Sequence, residues 1–191
     1  MSKISAGTNV FTYPMPVVLV GTQANGKANF MAEGWVSRAN INPPMATVAI
    51  GKSHYTPQHI IKNRTFSICT PTAKQLEKVD YCGIASGKNT DKSGVFKVFY
   101  GDLKTAPMIE DCPLCIECKL VQTIDLPTHY IFVGEIVASY AEELSLSNGR
   151  PDMKKINPLL LTMPDNTYWA LGAQAGRAWN DGKKLMKHPS I

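Results

Sequence analysis

The chain has 191 residues, 44% of them hydrophobic and 18% charged, with a net charge of +5 at pH 7. This composition excludes a disordered segment and fits one globular domain, residues 1–191, with a substantial core. The basic residues are spread along the chain except for Lys183, Lys184 and Lys187, so no nucleic-acid partner is expected, and no apolar run approaches the ~20 residues that cross a bilayer.

Strand signals dominate the first two-thirds of the chain. Pro16–Gly21 is a continuous apolar run ended by glycine, as in a buried strand. The Asn25-Gly26 pair that follows is a tight-hairpin signal, and the chain returns through Ala28–Ala32 toward Trp35–Ser37. Asn42-Pro-Pro44 interrupts before a third strand, Met45–Ile50. Next comes Lys52-Ser-His-Tyr-Thr-Pro57 and a short helix, Gln58–Asn63, with Thr56 as the expected N-cap and Pro57 at its first position. Arg64–Cys69 alternates like a half-buried strand. Ala73–Asp80 spaces Leu76 and Val79 as a helix does, with Gly83 as its expected stop. Leu114–Ile124 and Tyr130–Tyr140 are two longer strands, and residues 148–167, rich in Pro, Asn and Asp, suggest a long excursion. Close-spaced strands with hairpin signals predict a mainly β protein with a few helices, a β-barrel rather than a parallel α/β sheet.

Four segments carry candidate chemistry. At Lys52–Pro57 a helix start leaves unpaired N–H groups and partial positive charge, beside the hydroxyls of Ser53 and Thr56 and the Lys52 ammonium. Such a place suits a phosphate, and it equally suits a plain capped helix. Tyr81–Lys92 gathers Gly83, Ser86, Gly87, Lys88 and Lys92, either a ligand cradle or a helix end with a polar loop; it lacks the order of a Walker loop. Ala32-Glu-Gly-Trp-Val-Ser-Arg38 places a glycine beside a tryptophan between strands, which suits a ring lying on exposed backbone or a core tryptophan next to a bulge. Cys112, Cys115 and Cys118 form a CxxCxxC run, the alternative being an iron–sulfur electron-transfer module. Against a metal, no fourth cysteine follows, and three-residue spacing in a strand turns Cys115 and Cys118 to opposite faces. The five cysteines are an odd count, and Met1-Ser-Lys-Ile-Ser5 lacks the apolar core of a signal peptide, so free thiols and a cytoplasmic location are expected. No nucleophile elbow or metalloprotease helix is present, and His54, His59, His129 and His188 lack metal-ligand spacing.

Taken in order, Tyr13–Thr22, Asn29–Ser37, Pro43-Pro44, His54-Tyr-Thr56, Tyr81–Gly87 with Asp91-Lys92, Glu117-Cys118, His129 and Val133-Gly-Glu135 resemble the flavoredoxin and flavin reductase-like family, over nearly the whole chain. The resemblance implies an FMN-binding split β-barrel, noncovalent FMN near a homodimer interface, and redox chemistry. The electrons would come from NAD(P)H or a protein donor and pass to a flavin, metal or protein acceptor. Asn29, Trp35, Thr56, Lys92 and His129 match positions around the flavin, and Tyr168 is a looser match. Ser53, Tyr55 and Ser86 are neighbours. The implied cofactor-binding set also takes in Phe30, Met31, Ala32, Val36 and Ser37, with backbone amides from Ala32 to Ser37 on the isoalloxazine edge. The helix start at Thr56, with Lys52 or Lys92, would hold the phosphate. No side chain is expected to act as acid or base, because hydride transfer is the cofactor's chemistry. Haem or a pyridoxal phosphate derivative on the same barrel is a further alternative.

Overall fold

A computed structural model describes residues 1–186; Lys187 and His188 lie outside the described residues. The elements follow the hydrophobic pattern. A short β1 (Met15–Pro16) precedes β2 (Val18–Ala24), which turns at Asn25 and Gly26 into β3 (Lys27–Glu33). Both turn residues have positive φ, 50° and 80°, as a two-residue hairpin requires. β4 (Val36–Asn40) and β5 (Met45–Gly51) form the next hairpin, and β5 alternates buried even-numbered with half-buried odd-numbered residues. Then come α1 (Thr56–Asn63), β6 (Thr65–Thr70), α2 (Leu76–Ile84), β7 (Val98–Phe99) and β8 (Met108–Ile109). The long strands are β9 (Leu114–Asp125) and β10 (His129–Ala141). The expected excursion at 148–167 is structured. It holds β12 (Arg150–Pro151) paired with β11 (Leu146–Ser147), α3 (Met153–Ile156), β13 (Leu159–Thr162) and the start of β14 (Thr167–Ala170). A last turn, α4 (Lys183–Met186), carries two of the C-terminal lysines.

Seven strands form one sheet in the order β3-β2-β6-β9-β10-β5-β4. Its two edge strands, β3 and β4, are separated in sequence by Gly34 and Trp35 alone. Edges joined by so short a tether require the sheet to curl until they face each other. The packing agrees: one apolar cluster takes Val18, Val20, Met31, Val48, Ile50, Phe66, Ile68, Leu120 and Phe132, with Val36 against it, so all seven strands surround it. Ile60 of α1 also packs into this interior. β3 and β4 are not paired with one another, so the barrel is split along that seam. Bulges in the β9–β10 pairing, at Val133/Gly134 and Ile136/Ala138, add the local twist that closure needs. Gly134 is required there, because a Cβ would sit 2.7 Å from Phe66 Cε1.

A second cluster lies on the outer face of β2, β3, β6 and β9, and α2 covers it with Val79 and Cys82. Phe30 belongs to this cluster and Phe66 and Phe132 to the interior; all three are fully buried. Each such ring contributes about 1.5–3 kcal/mol by burial.

Two helix ends differ from expectation. α1 begins with Thr56 itself, Tyr55 occupies the N-cap, and no side chain caps the helix. α2 runs through Gly83 to Ile84 after a 3₁₀ turn at Ala73–Gln75 with a Thr72/Gln75 capping box. Its last carbonyls need no glycine cap, because the Lys92 ammonium donates to Ala85 O at 2.9 Å and Cys82 O at 3.4 Å. Among the described residues no helix is long and apolar enough to cross a membrane.

Candidate functional site

The seam between β3 and β4 opens into a cleft of about 430 Å³. Its walls come from the tether (Glu33, Gly34, Trp35), the end of β5, the start of α1, the C-terminal end of α2 with the following loop, and His129 at the start of β10. A second hollow of about 360 Å³ adjoins it and shares Tyr55, Gly87 and Lys92.

One end of the cleft is polar and tightly held. Thr56 is 2% exposed, and its hydroxyl accepts from Asn29 Nδ2 at 3.1 Å, which leaves the hydroxyl hydrogen to donate elsewhere. The N–H groups of Thr56 and Gln58 begin α1 without helical acceptors, while Pro57 has none to satisfy. Lys92 is 4% exposed and brings a positive charge to the same end; burial pulls its pKa below that of an ordinary lysine. Gly87 lets the loop pass closely, since a Cβ there would overlap Asn29 Oδ1 and approach Tyr55 Cδ1 to 2.7 Å. The neighbouring Ser86 oxygen accepts from Lys88 N at 3.3 Å.

The other end is aromatic and more open. The rings of Trp35 and His129 stack with centroids 4.7 Å apart and planes 27° from parallel. Gly51 faces His129 in the β5–β10 register, and the absence of a Cβ leaves room for the His54 and His129 imidazoles. Met15, Met31, Leu161 and Met163 supply apolar lining.

Met31, Ala32, Trp35, Tyr55, Thr56, Ser86, Lys92 and His129 therefore meet in one cleft. Asn29 stands behind Thr56 and lines the adjoining hollow. The other expected residues are not brought in. Phe30 points from β3 into the outer core, as strand alternation demands of a neighbour of Met31. Lys52 is drawn off by an ion pair with Asp125 and lies over the Tyr130 ring, 5.0 Å from its centroid. Ser53 is exposed in the turn before α1, outside the lining. Val36 and Ser37 continue past the tether into a different groove, formed with Val10–Pro16. Tyr168 donates its hydroxyl to Asp80 at 3.0 Å, and burial followed by this bond pushes its pKa up to about 12. The cysteine run does not converge: Cys112 and Cys115 lie in the outer cluster and Cys118 in the barrel interior. Among the described residues no three His, Cys, Asp or Glu side chains gather around a metal-sized site.

The profile of the flavin reductase like domain matches residues 10–162. The chain belongs to the flavin reductase like family. Its structure superposes on flavoredoxin from Methanosarcina acetivorans with a TM-score of 0.96 and 57% identity, covering 97% of this chain and 100% of that one. Flavoredoxin of Desulfovibrio vulgaris (Miyazaki F) follows at 0.88 and 32%, over 95% and 100% of the two chains. An FMN-binding protein from Thermus thermophilus, solved with bound 1-cyclohex-2-enone, gives 0.78 and 25%, over 93% and 97%. The split barrel is thus the flavin reductase-like fold, and the cleft lies where that fold leaves its seam open.

Several lining residues of this family member escape a reading of the sequence. Leu161 and Met163 arrive from the far end of the chain, because β13 pairs with β1 and with β14 in a small separate sheet. Their segment carries no periodic signal that would announce a site. His54 and Cys82 lay inside segments already singled out, but only tertiary packing places them along the cleft. Glu33 lies inside the Ala32–Arg38 segment, and only the structure shows its carboxylate on the Gly34 and Trp35 amides.

Proposed function

We propose that the chain is an FMN-binding redox protein of flavoredoxin type, which holds its flavin noncovalently in the seam cleft. The observation that carries this reading is the polarity of the cleft: a cation and a helix start at one end, a stacked aromatic pair and tether amides at the other. The donor set fits. A phosphate needs N–H, O–H and ammonium donors, and the Thr56 and Gln58 amides, the Thr56 hydroxyl and Lys92 offer them. A planar ring needs an apolar slot with a polar edge, and Met31, Trp35, His129 and the Gly34–Trp35 backbone offer that.

FMN would supply reversible hydride and electron transfer. The protein's part is position and field. Thr56, oriented by Asn29, and Lys92, held by two carbonyls of the α2 end, fix the anionic end without rearrangement. Trp35 and His129 shield one side of the ring site. A second copy of the chain is a reading supported by the exposed groove of Val10–Pro16 beside the unpaired β4 edge. Electrons arrive from NAD(P)H or a protein donor and leave to a flavin, metal or protein acceptor.

Reconstitution with FMN followed by gel filtration tests the assignment. The expected result is a yellow protein with bands in the near-ultraviolet and blue; a colourless protein overturns it. Anaerobic stopped-flow mixing of the yellow form with NADH, NADPH and reduced ferredoxin then separates a reductase from an electron carrier.

A further inference from the structure

Glu33 ends β3 at the lip of the cleft, and one of its carboxylate oxygens accepts from both tether amides, Gly34 N and Trp35 N, each at 2.9 Å. These are the backbone donors that face the aromatic end. They are therefore already engaged by a side chain of the same segment. A heterocycle whose polar edge reached them would have to displace the carboxylate, which would then lie among the methionines and Trp35 of the lining. The difficulty of that exchange depends on the charge of Glu33. An ionised acceptor makes bonds about twice as strong as a neutral one, and an ionised carboxylate resists apolar surroundings.

The setting keeps Glu33 near the point where its charge changes. Burial raises its pKa from 4.5 to about 6, and the two amide bonds oppose that only in part. The other titratable groups facing the cleft are His54, Tyr55, Cys82, Lys92 and His129. Among the described residues none of them pairs with Glu33; Lys92 is held by the carbonyls of Cys82 and Ala85.

We propose that Glu33 is a gate on the ring end of the cleft: its ionised carboxylate keeps the Gly34 and Trp35 amides capped, and loss of its charge releases them to the polar edge of a planar heterocycle. The inference rests on the flavin reading above. Its sign is definite. Below about pH 6 Glu33 is neutral, the cap weakens and the ring binds more tightly; above that pH the cap strengthens and the ring binds less tightly.

Riboflavin is the probe, because it has no phosphate whose own titration would intrude. Its affinity is read by fluorescence quenching between pH 5 and pH 8 for the native protein, Glu33→Gln and Glu33→Ala, each checked for folding by circular dichroism. The native protein is expected to bind roughly tenfold more tightly at pH 5 than at pH 8. Both variants should lose that dependence, and Glu33→Ala should match or exceed the native affinity at pH 5. The same pH profile in native protein and variants assigns it to a group other than Glu33 and overturns the gate. Uniform loss of riboflavin binding in both variants also overturns it, since Glu33 would then hold the ring. Binding of neither riboflavin nor FMN by any of the three overturns the flavin reading itself, and the gate with it.

Discussion

The two ends of the cleft are built on different terms. At the α1 end every polar group has its orientation settled in advance: Asn29 holds Thr56, and the α2 carbonyls hold Lys92. At the tether end the contacts are provisional, two half-open aromatic rings and two amides capped by a carboxylate whose pKa burial raises to about 6. The contrast suits a ligand with one permanently anionic end and one end whose charge changes as it works. The anchor can be rigid because its load is constant, while the ring end must tolerate more than one state.

The sharpest way to break this contrast is to remove the anchor. Thr56→Ala with Lys92→Ala deletes two donors to an anion, each worth about 1.5–3 kcal/mol, so FMN affinity should fall at least a hundredfold. Riboflavin affinity should barely move, and equal losses for both ligands would show that these residues do not hold a phosphate. A smaller effect is expected from Gly87→Ala. Its Cβ would overlap Asn29 Oδ1, so the Asn29–Thr56 bond must yield. Overpacking of this kind costs about 1–3 kcal/mol, to be read as a lower midpoint in urea, with FMN affinity falling roughly tenfold. Unchanged stability would mean that the loop moves aside freely and the anchor is less rigid than argued. The least effect belongs to the ring end. Trp35→Ala removes a half-exposed stack on His129 worth about 0.5–1.5 kcal/mol, so FMN and riboflavin affinities should fall together by about fivefold. A loss confined to FMN would assign Trp35 to the anchor instead.

How far the sequence reveals all this follows from the range of the forces involved. The strands and the Asn25-Gly26 hairpin announce themselves because alternation and positive φ are local demands. Thr56 is legible for the same reason, next to a proline that marks a helix start. The opposite faces of Cys115 and Cys118 follow from strand geometry alone. Lys52 and Lys92 are harder to rank. In sequence both are lysines beside a turn, and only packing shows that Lys52 is taken by Asp125 while Lys92 is buried at a helix end. Gly83 misleads, since a glycine inside α2 reads as a stop when the carbonyls it would serve are satisfied by a lysine nine residues on. Leu161 and Met163 belong to the cleft through the β1–β13 pairing, a contact across most of the chain with no turn chemistry to signal it.

The tether has one further consequence. From Glu33 to Val36 the chain can stretch no more than about 11 Å, so the mouth of the cleft at that end has a width set by covalent bonds. A ligand arriving there does not prise the barrel apart, and one departing does not let it collapse. Loaded and empty forms should therefore share one barrel, and exchange of the prosthetic group becomes a surface event rather than a partial unfolding.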